Sequence, residues 1–310
     1  MTSGSQQPAV PVTPGGRALD ANVDRRRPGP RRRPGGRALL HVAIIGLMAV
    51  WLVPTLGLFV NSFRPAAEAG AVPWWESLFP PWDFTIANYE RVLSRNNLAD
   101  SFFNSLIITI PATVMTVMIA AFAGYAFAWM NFPYKNAIFV AIVGLLVVPL
   151  QSTLIPVLRL FAGLGIAGEF LAVWLAHTGY GLPFAVYLLR NYMGGLPREV
   201  FESAAIDGAN PATAFFRLAL PMSVPVLASL TIFQFLFVWN DLLVSLIYIG
   251  PTAAENLPMT VVVANLVSSL GGETHFLTAA AFLTMALPLG VFLLLQRYFV
   301  RGITGGAVKG

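Results

Sequence analysis

The stretch LPREVFESAAIDGANPATAFFRLALPMSVP, residues Leu196–Pro225, lies between two long apolar segments and is itself too polar to cross a membrane. This central segment predicts two short helices joined at Gly208, because glycine readily adopts the left-handed backbone conformation that ends a helix. Pro197 suits the start of the first helix, and Asn210 followed by Pro211 is typical of the cap and first turn of the second. The pattern predicts a helix-turn-helix at the aqueous face of a membrane protein.

The first of these helices is predicted to expose four apolar or small side chains: Val200, Phe201, Ala204 and Ala205. Such a surface is unfavourable in water unless another protein covers it. Two interpretations are open at this point. The segment is either a docking site for a partner protein or an ordinary connecting helix that lies on the membrane surface.

The spacing of the central segment resembles the EAA loop of permease subunits of ATP-binding-cassette importers. Glu202-Ser203-Ala204 is followed after three residues by Gly208, and after nine more by Leu218-Ala219-Leu220-Pro221. The family pattern is Glu-Ala-Ala, three residues, Gly, nine residues, Ile, one residue and Leu-Pro. A serine and a leucine stand here in place of one alanine and the isoleucine. The run Ala205–Ala209 resembles the sugar-importing branch in particular.

The resemblance implies a MalG-like permease subunit of a carbohydrate importer. Three further runs, Ile110–Thr113, Ala126–Trp129 and Val147–Gln151, resemble α-glucoside permeases. The implied partners are a second homologous, MalF-like permease, two ATP-binding subunits and an extracytoplasmic sugar-binding protein, with a sugar as substrate. ATP and Mg would bind to the partner ATPase, and no cofactor to this chain. The residues expected to couple to that ATPase are Glu202, Ser203, Ala204, Asp207, Gly208, Ala209 and Pro221.

The composition is typical of an integral membrane protein, since 56% of the residues are hydrophobic and 11% are charged. The net charge of +5 is concentrated in residues 1–37, which carry eight arginines and two acids. This tail is rich in Pro and Gly and is predicted to be disordered. We expect it to hold the N-terminus on the cytoplasmic side of a bacterial cytoplasmic membrane, among the lipids, rather than to bind nucleic acid.

Six apolar stretches approach or exceed the length of about 20 residues that a helix needs to cross the hydrocarbon. They cover residues 38–62, 101–130, 137–161, 169–192, 222–249 and 277–299, and the third is predicted to be interrupted by Pro149 and Pro156. Lys and Arg are concentrated in the segments that this order places inside, so both termini are predicted to be cytoplasmic. The predicted fold class is all-α integral membrane. A permease domain of residues 38–310 has six transmembrane helices and a cytoplasmic coupling helix between the fourth and fifth.

The sequence lacks motifs for nucleotide binding, catalysis or metal binding. It contains no G-x-x-x-x-G-K-[ST] loop for nucleotide and no Gly-x-Ser-x-Gly elbow. It has no cysteine, and its three histidines lie far apart, so neither a catalytic site nor a metal site is predicted. The chain is therefore expected to be a transport subunit, not an enzyme, and to depend on a separate ATPase.

Two rival interpretations remain open. An ion-coupled secondary transporter would need ionisable groups within the membrane, for which only His177 and Asp241 are candidates. A membrane-embedded enzyme would need a cluster of acid, base or nucleophile, which the sequence lacks.

A substrate path is predicted at two places. Tyr180-Gly181-Leu182-Pro183-Phe184 is expected to break the fourth helix and to expose backbone and aromatic faces to a cavity; the alternative is a proline kink filled by its neighbours. In the fifth helix, Asp241 is either functional or the solvated end of the helix. His177 is expected to be hydrogen-bonded within the bundle rather than to be a ligand. The candidate path residues are Tyr180, Phe184, Tyr187, Asn240 and Asp241.

Two further segments resemble parts of maltose-type importers. The C-terminal residues resemble a tail that reaches between the ATPase subunits in that family, although their spacing alone predicts only a flexible Gly-rich terminus. The contact residues implied are Gly305, Gly306, Val308 and Lys309. Residues 250–276 are predicted to form an outside loop, placed like the loop that enters the external binding protein in that family.

Overall fold

A computed structural model describes residues 34–94, 98–269 and 273–307, and none of these residues lies in a strand. The helices, in chain order, are α1 (Pro34–Ser62), α2 (Ala66–Ala69), α3 (Ala87–Ser94), α4 (Leu98–Trp129), α5 (Lys135–Gly144), α6 (Leu150–Gly163), α7 (Phe170–Gly194), α8 (Arg198–Ile206), α9 (Pro211–Ala214), α10 (Leu220–Met222), α11 (Val224–Trp239), α12 (Leu243–Tyr248), α13 (Met259–Ser269) and α14 (Thr274–Ala307). A π-helical turn, Phe215–Ala219, joins α9 to α10. The all-α prediction is confirmed.

The chain forms two units, Met1–Val53 and Pro54–Gly310. In the first unit, α1 begins at Pro34, inside the predicted tail, and residues 1–33 lie outside the described part of the chain. Every side chain from Ala38 to Val53 is exposed, as expected of a helix that faces lipid or another chain. The second unit holds the central segment and the packed core.

Four described helices are long and apolar enough to cross a membrane without a break. They are Ala38–Ser62, Leu98–Trp129, Phe170–Gly194 and Thr274–Leu294. Two bent pairs are also candidates, Lys135–Val147 with Leu150–Gly163 at 106° and Pro211–Met222 with Val224–Trp239 at 75°. Counting each pair as one span gives the six crossings that the sequence predicts.

The predicted helix breaks are confirmed in part. The helix α7 runs unbroken through Pro183, so the predicted break of the fourth span is wrong. The third span bends at Val148, directly before Pro149 as predicted, with the extended backbone that a following proline favours, whereas α6 continues through Pro156. The stretch 222–249 is interrupted after Trp239, before the short helix α12.

The helices α4 and α7 pack through small residues. Gly124 lies so close to α7 that an added Cβ would stand 2.8 Å from the Leu189 Cβ and 3.1 Å from the backbone N of Arg190. Ala120 and Ala185 are fully buried in the same cluster. Membrane helices approach closely where side chains are small, because van der Waals contact is a main attraction between them.

The connection between α1 and α4 is held by polar contacts. The Asn88 amide donates to the carbonyl oxygens of Ser62 and Arg64, both at 2.9 Å, and the Arg64 guanidinium donates to those of Glu68 and Val72. Asn88 and Arg64 are both buried. These bonds fix the chain where it leaves the first span, since buried carbonyls without partners are costly.

Replacing Asn88 with alanine is expected to destabilise the protein by about 1–3 kcal/mol, because two carbonyl oxygens lose their donor. Thermal unfolding of the purified protein in detergent measures the effect. The matched control is Asn191→Ala, since Asn191 is an exposed asparagine bonded to its neighbour Arg190. An equal loss of stability in both variants would contradict the stabilising role of the two Asn88 hydrogen bonds.

Candidate functional site

The central segment forms the predicted helix, glycine turn and helix. Gly208 has a φ of +81°, the left-handed conformation. The Ala209 N–H donates to the Ala204 carbonyl and the Gly208 N–H donates to the Ala205 carbonyl. These two bonds make up a Schellman motif, which satisfies the last carbonyls of α8 and requires a residue that tolerates positive φ.

The second helix starts as its sequence predicts. The Asn210 side chain accepts from the Thr213 backbone N–H at 2.8 Å, and Pro211 occupies the first turn. The chain then widens into a π-helical turn at Phe215–Ala219 before Pro221. The two helices are therefore held at a fixed angle by a cap on each side of the turn.

The ring of Phe201 is buried, so its predicted exposure is wrong. It stacks on Trp129 with ring centroids 3.9 Å apart, and the Trp129 indole N–H donates to the Met193 carbonyl at 2.9 Å. Sequence reasoning missed Trp129 because the pair joins distant parts of the chain. The contact fastens α8 to the ends of α4 and α7.

The second half of the central segment is also anchored in the core. Phe215 contacts Phe122 and Tyr125 of α4, with ring centroids 4.8 and 5.2 Å apart. Phe201, Phe215 and Ala219 belong to the same buried cluster as residues of α4, α7 and α11. The central segment is therefore packed directly against those three helices.

The outward-facing surface of the central segment is exposed to solvent and combines apolar with charged side chains. Ile206 is 87% exposed at the end of α8, and Val200 is exposed near its start. Sequence reasoning missed Ile206, although an isoleucine at the last helical position before the turn was the available signal. The remaining predicted coupling residues are exposed (Glu202, Ser203, Asp207, Gly208 and Pro221) or half-buried (Ala204 and Ala209).

A second group of predicted residues lines two neighbouring cavities within the helices. The larger cavity, of 420 Å³, lies between the bend of the third span and α7. The smaller, which we call the aromatic cavity, has 210 Å³ and lies between α7 and α11. Tyr180 and Phe237 line both cavities, and Phe184 lines the aromatic cavity. Tyr187 is exposed on α7 but belongs to the lining of neither.

The Tyr180 ring is held by hydroxyl groups on two other helices. The Thr153 hydroxyl donates to the Tyr180 hydroxyl at 2.9 Å, and the Tyr180 and Tyr248 hydroxyls share a hydrogen bond of 2.7 Å. These contacts link α6, α7 and α12 around the wall between the two cavities. The ring is thus fixed in orientation, as a binding wall requires.

Asn240 and Asp241 belong to the lining of neither cavity. The Asp241 carboxylate accepts from the backbone N–H groups of Val244 and Ser245, at 3.0 and 3.3 Å, and so caps α12. Asp241 is half-buried rather than fully solvated, and Asn240, which is exposed, donates to the Leu236 carbonyl. Both residues support the break after α11.

His177 is buried and its expected hydrogen bond is not found. Within the described residues neither ring nitrogen has a hydrogen-bond partner, and Nε2 lies 3.7 Å from an Asp241 carboxylate oxygen. The Phe237 ring packs edge-on against the imidazole at 6.0 Å. Burial among apolar helices leaves few polar groups within reach of this side chain.

The remaining predictions concern metal and the C-terminus. No group of three or more potential metal ligands occurs in the described part of the chain. Gly305 and Gly306 lie in the last turn of α14, whereas Val308 and Lys309 lie outside the described residues. Within the predicted loop 250–276 the chain forms a short 3₁₀ helix and α13.

Residues 95–305 match the family described as binding-protein-dependent transport system inner membrane component. The chain belongs to this family. The match covers more than half of the sequence and includes the central segment and both cavities. The predicted membership is confirmed, and the protein is a multi-pass inner membrane permease.

Curated relatives of this permease cover most of its length. It is 52% identical over 273 residues to the osmoprotective compounds uptake permease protein GgtD of Synechocystis, covering 87% of this chain and 91% of that one. It is 49% identical over 256 residues to the alpha-glucoside transport system permease protein AglG of Rhizobium meliloti, covering 81% and 67%.

The fold is shared with a solved transporter. The permease aligns with a chain of a bacterial ABC transporter involved in the import of the acidic polysaccharide alginate, with a TM-score of 0.73 and 19% identity. The alignment covers 87% of this chain and 99% of that one. At this identity the likeness concerns the fold alone.

Proposed function

We propose that this permease pairs with a second homologous permease and imports a sugar delivered by an external binding protein, driven by ATP hydrolysis on two partner subunits. The observation that carries the proposal is the central segment. It presents an exposed, capped helix-turn-helix whose inner face is fastened to three long helices. The permease binds no cofactor in this scheme, and ATP with Mg belongs to the ATPase subunits.

The names of the relatives support a sugar as substrate. One relative is named for α-glucosides and others for arabinooligosaccharides and for melibiose, raffinose and stachyose. A related alginate transporter was solved in complex with a periplasmic protein bound to an alginate pentasaccharide. We infer by analogy that an α-glucoside or a similar oligosaccharide reaches this permease from such a binding protein.

The mechanism that fits the geometry is alternating access. In this mechanism the central segment lies on the cytoplasmic side together with both termini. The ATPase binds it around Glu202, Asp207 and the Gly208 turn. Closure of the ATPase pair pushes α8, and the buried rings of Phe201 and Phe215 pass the movement to the bundle. The path then opens past Tyr180 and Phe184. Gly305, Gly306, Val308 and Lys309 add a contact from the C-terminus.

Replacing Ile206 with glutamate is expected to weaken ATPase binding by roughly thirtyfold, the scale of about 2 kcal/mol typical of a central interface residue. A charge would be buried in the contact without a partner. Co-purification of tagged ATPase with detergent-solubilised permease, titrated by ATPase concentration, measures the loss. The matched control is Val267→Glu, which puts the same charge on an exposed valine of α13.

Retention of the ATPase by the Ile206→Glu variant at wild-type strength would contradict docking at this surface.

A separate experiment tests whether ATP, rather than an ion gradient, is the energy source. Uptake that survives ATP depletion but stops when the ion gradient is dissipated would support the ion-coupled alternative.

A further inference from the structure

Gln234 is a buried polar side chain at the aromatic cavity. It lies in the middle of α11, is 5% exposed, and lines the cavity. Its Nε2 donates to the His177 carbonyl at 3.4 Å, a long bond that leaves most of the hydrogen-bonding capacity of the amide unused. A polar side chain is costly to bury within a membrane span and is therefore a candidate for a function.

Gly181 makes room for this amide. A Cβ at position 181 would stand 2.5 Å from the Gln234 Oε1 and 2.7 Å from Nε2. The absence of a side chain on α7 therefore lets the amide reach between the two helices to the cavity wall.

Aromatic rings form much of the remaining wall. Phe184 of α7 is 44% exposed, and Phe233 and Phe237 of α11 are each 46% exposed. Together with Tyr180 they line the cavity from both helices. Aromatic faces pack against the C–H faces of sugar rings, and an amide bonds to hydroxyl groups, so this wall combines the two chemistries that recognise a sugar.

Charge is missing from both linings. Neither cavity is lined by an Asp, Glu, Lys or Arg side chain. A carboxylated sugar would lose its hydration there without gaining a cationic partner, which is unfavourable. The wall therefore favours an uncharged ligand, in contrast to the acidic polysaccharide named for the solved transporter.

We propose that the aromatic cavity is a subsite for one ring of an uncharged glycoside, with Gln234 binding its hydroxyl groups. The inference rests on the proposed function and adds the substrate class and the residue that selects it. Tyr180, held by Thr153 and Tyr248, separates this subsite from the larger cavity, which takes the adjoining part of the substrate. An aromatic cage without the amide would instead suit a quaternary ammonium compound.

The test uses the complete importer with its binding protein in proteoliposomes and compares wild type with Gln234→Leu. Three probes are added in turn: maltose, glycine betaine and a glucuronic acid disaccharide. We expect ATP-driven uptake of maltose alone. The leucine side chain cannot form hydrogen bonds to hydroxyl groups, so kcat/KM for maltose should fall roughly tenfold or more. ATP hydrolysis stimulated by the binding protein is measured in the same vesicles, so that maltose uptake is expressed per ATP hydrolysed.

The matched control is Gln296→Leu, since Gln296 is an exposed glutamine of α14 that lines neither cavity. It should transport maltose as wild type does. Unchanged maltose uptake by Gln234→Leu would overturn the subsite, and so would wild-type uptake of glycine betaine in preference to maltose. Absence of ATP-driven uptake of any probe by the wild type would instead overturn the proposed function itself.

A binding measurement is independent of turnover. The chain has no cysteine, so Phe233→Cys introduces a single thiol into the wall, and Tyr187→Cys provides an exposed thiol outside both cavities. Labelling by a maleimide is followed by the intact mass of this chain in the assembled importer. Maltose should slow labelling of Phe233→Cys several-fold and leave Tyr187→Cys unchanged; equal rates with and without maltose in both variants would overturn the subsite.

Discussion

Replacing Gly208 with valine is expected to abolish the stimulation of ATP hydrolysis by the binding protein and to stop sugar uptake. The φ of +81° at this position costs a residue with a Cβ about 1–2 kcal/mol, and a β-branched one more. The cheapest relief is rotation of the backbone, which breaks the two Schellman bonds and tilts α8 away from the second helix. The docking surface for the ATPase is then disrupted, because α8 and the second helix no longer hold their relative orientation.

Uptake and stimulated ATP hydrolysis are measured side by side in proteoliposomes. Gly208→Asn is the conservative variant, because asparagine tolerates the left-handed conformation better than other residues with a side chain. It should retain most of the activity. Gly163→Val is the positional control, since Gly163 ends a helix without positive φ and has open space around it. Undiminished hydrolysis and uptake in Gly208→Val would remove the docking role of the turn.

Replacing Gly124 with valine is expected to prevent recovery of a folded permease. The added atoms would collide with the Leu189 Cβ and with the backbone on either side of the Leu189–Arg190 peptide bond. Since backbone atoms cannot turn aside as a side chain can, α4 and α7 must separate. Overpacking of this kind typically costs 1–3 kcal/mol and more where the backbone must shift, and here it affects two long helices at once.

The yield of monodisperse protein in detergent and its melting temperature measure this effect. Gly290→Val is the control, because Gly290 also lies inside a membrane helix but nothing stands within 4 Å of its added Cβ. The control should be recovered and melt as wild type does. A Gly124→Val protein with wild-type yield and melting temperature would show that the two helices do not depend on this contact.

Features that depend on neighbouring residues could be predicted from the sequence. The turn at Gly208 and the cap at Asn210 are set by backbone conformation and by bonds that span a few residues, so their residue types are sufficient signals. The apolar spans were predictable for the same reason, because crossing the hydrocarbon needs length and composition rather than a particular partner.

Features that depend on residues far apart in the sequence could not be predicted from it. Whether Phe201 faces water or the core depends on Trp129, which reaches it only after the bundle has assembled. Proline in a membrane helix is tolerated when neighbouring helices compensate for it, and Pro183 is an example. Gln234 carried a signal that could have been used, since an amide within a long apolar segment is seldom without purpose.

Gly181 has a practical consequence for engineering the permease. The glycine lines the aromatic cavity beside Gln234, and one methyl group on it would press against the Gln234 amide. In the proposed scheme, an exchange at position 181 therefore changes both the shape of the cavity and the position of the amide. A small library at this position, selected on sugars of increasing bulk, would exploit that double effect.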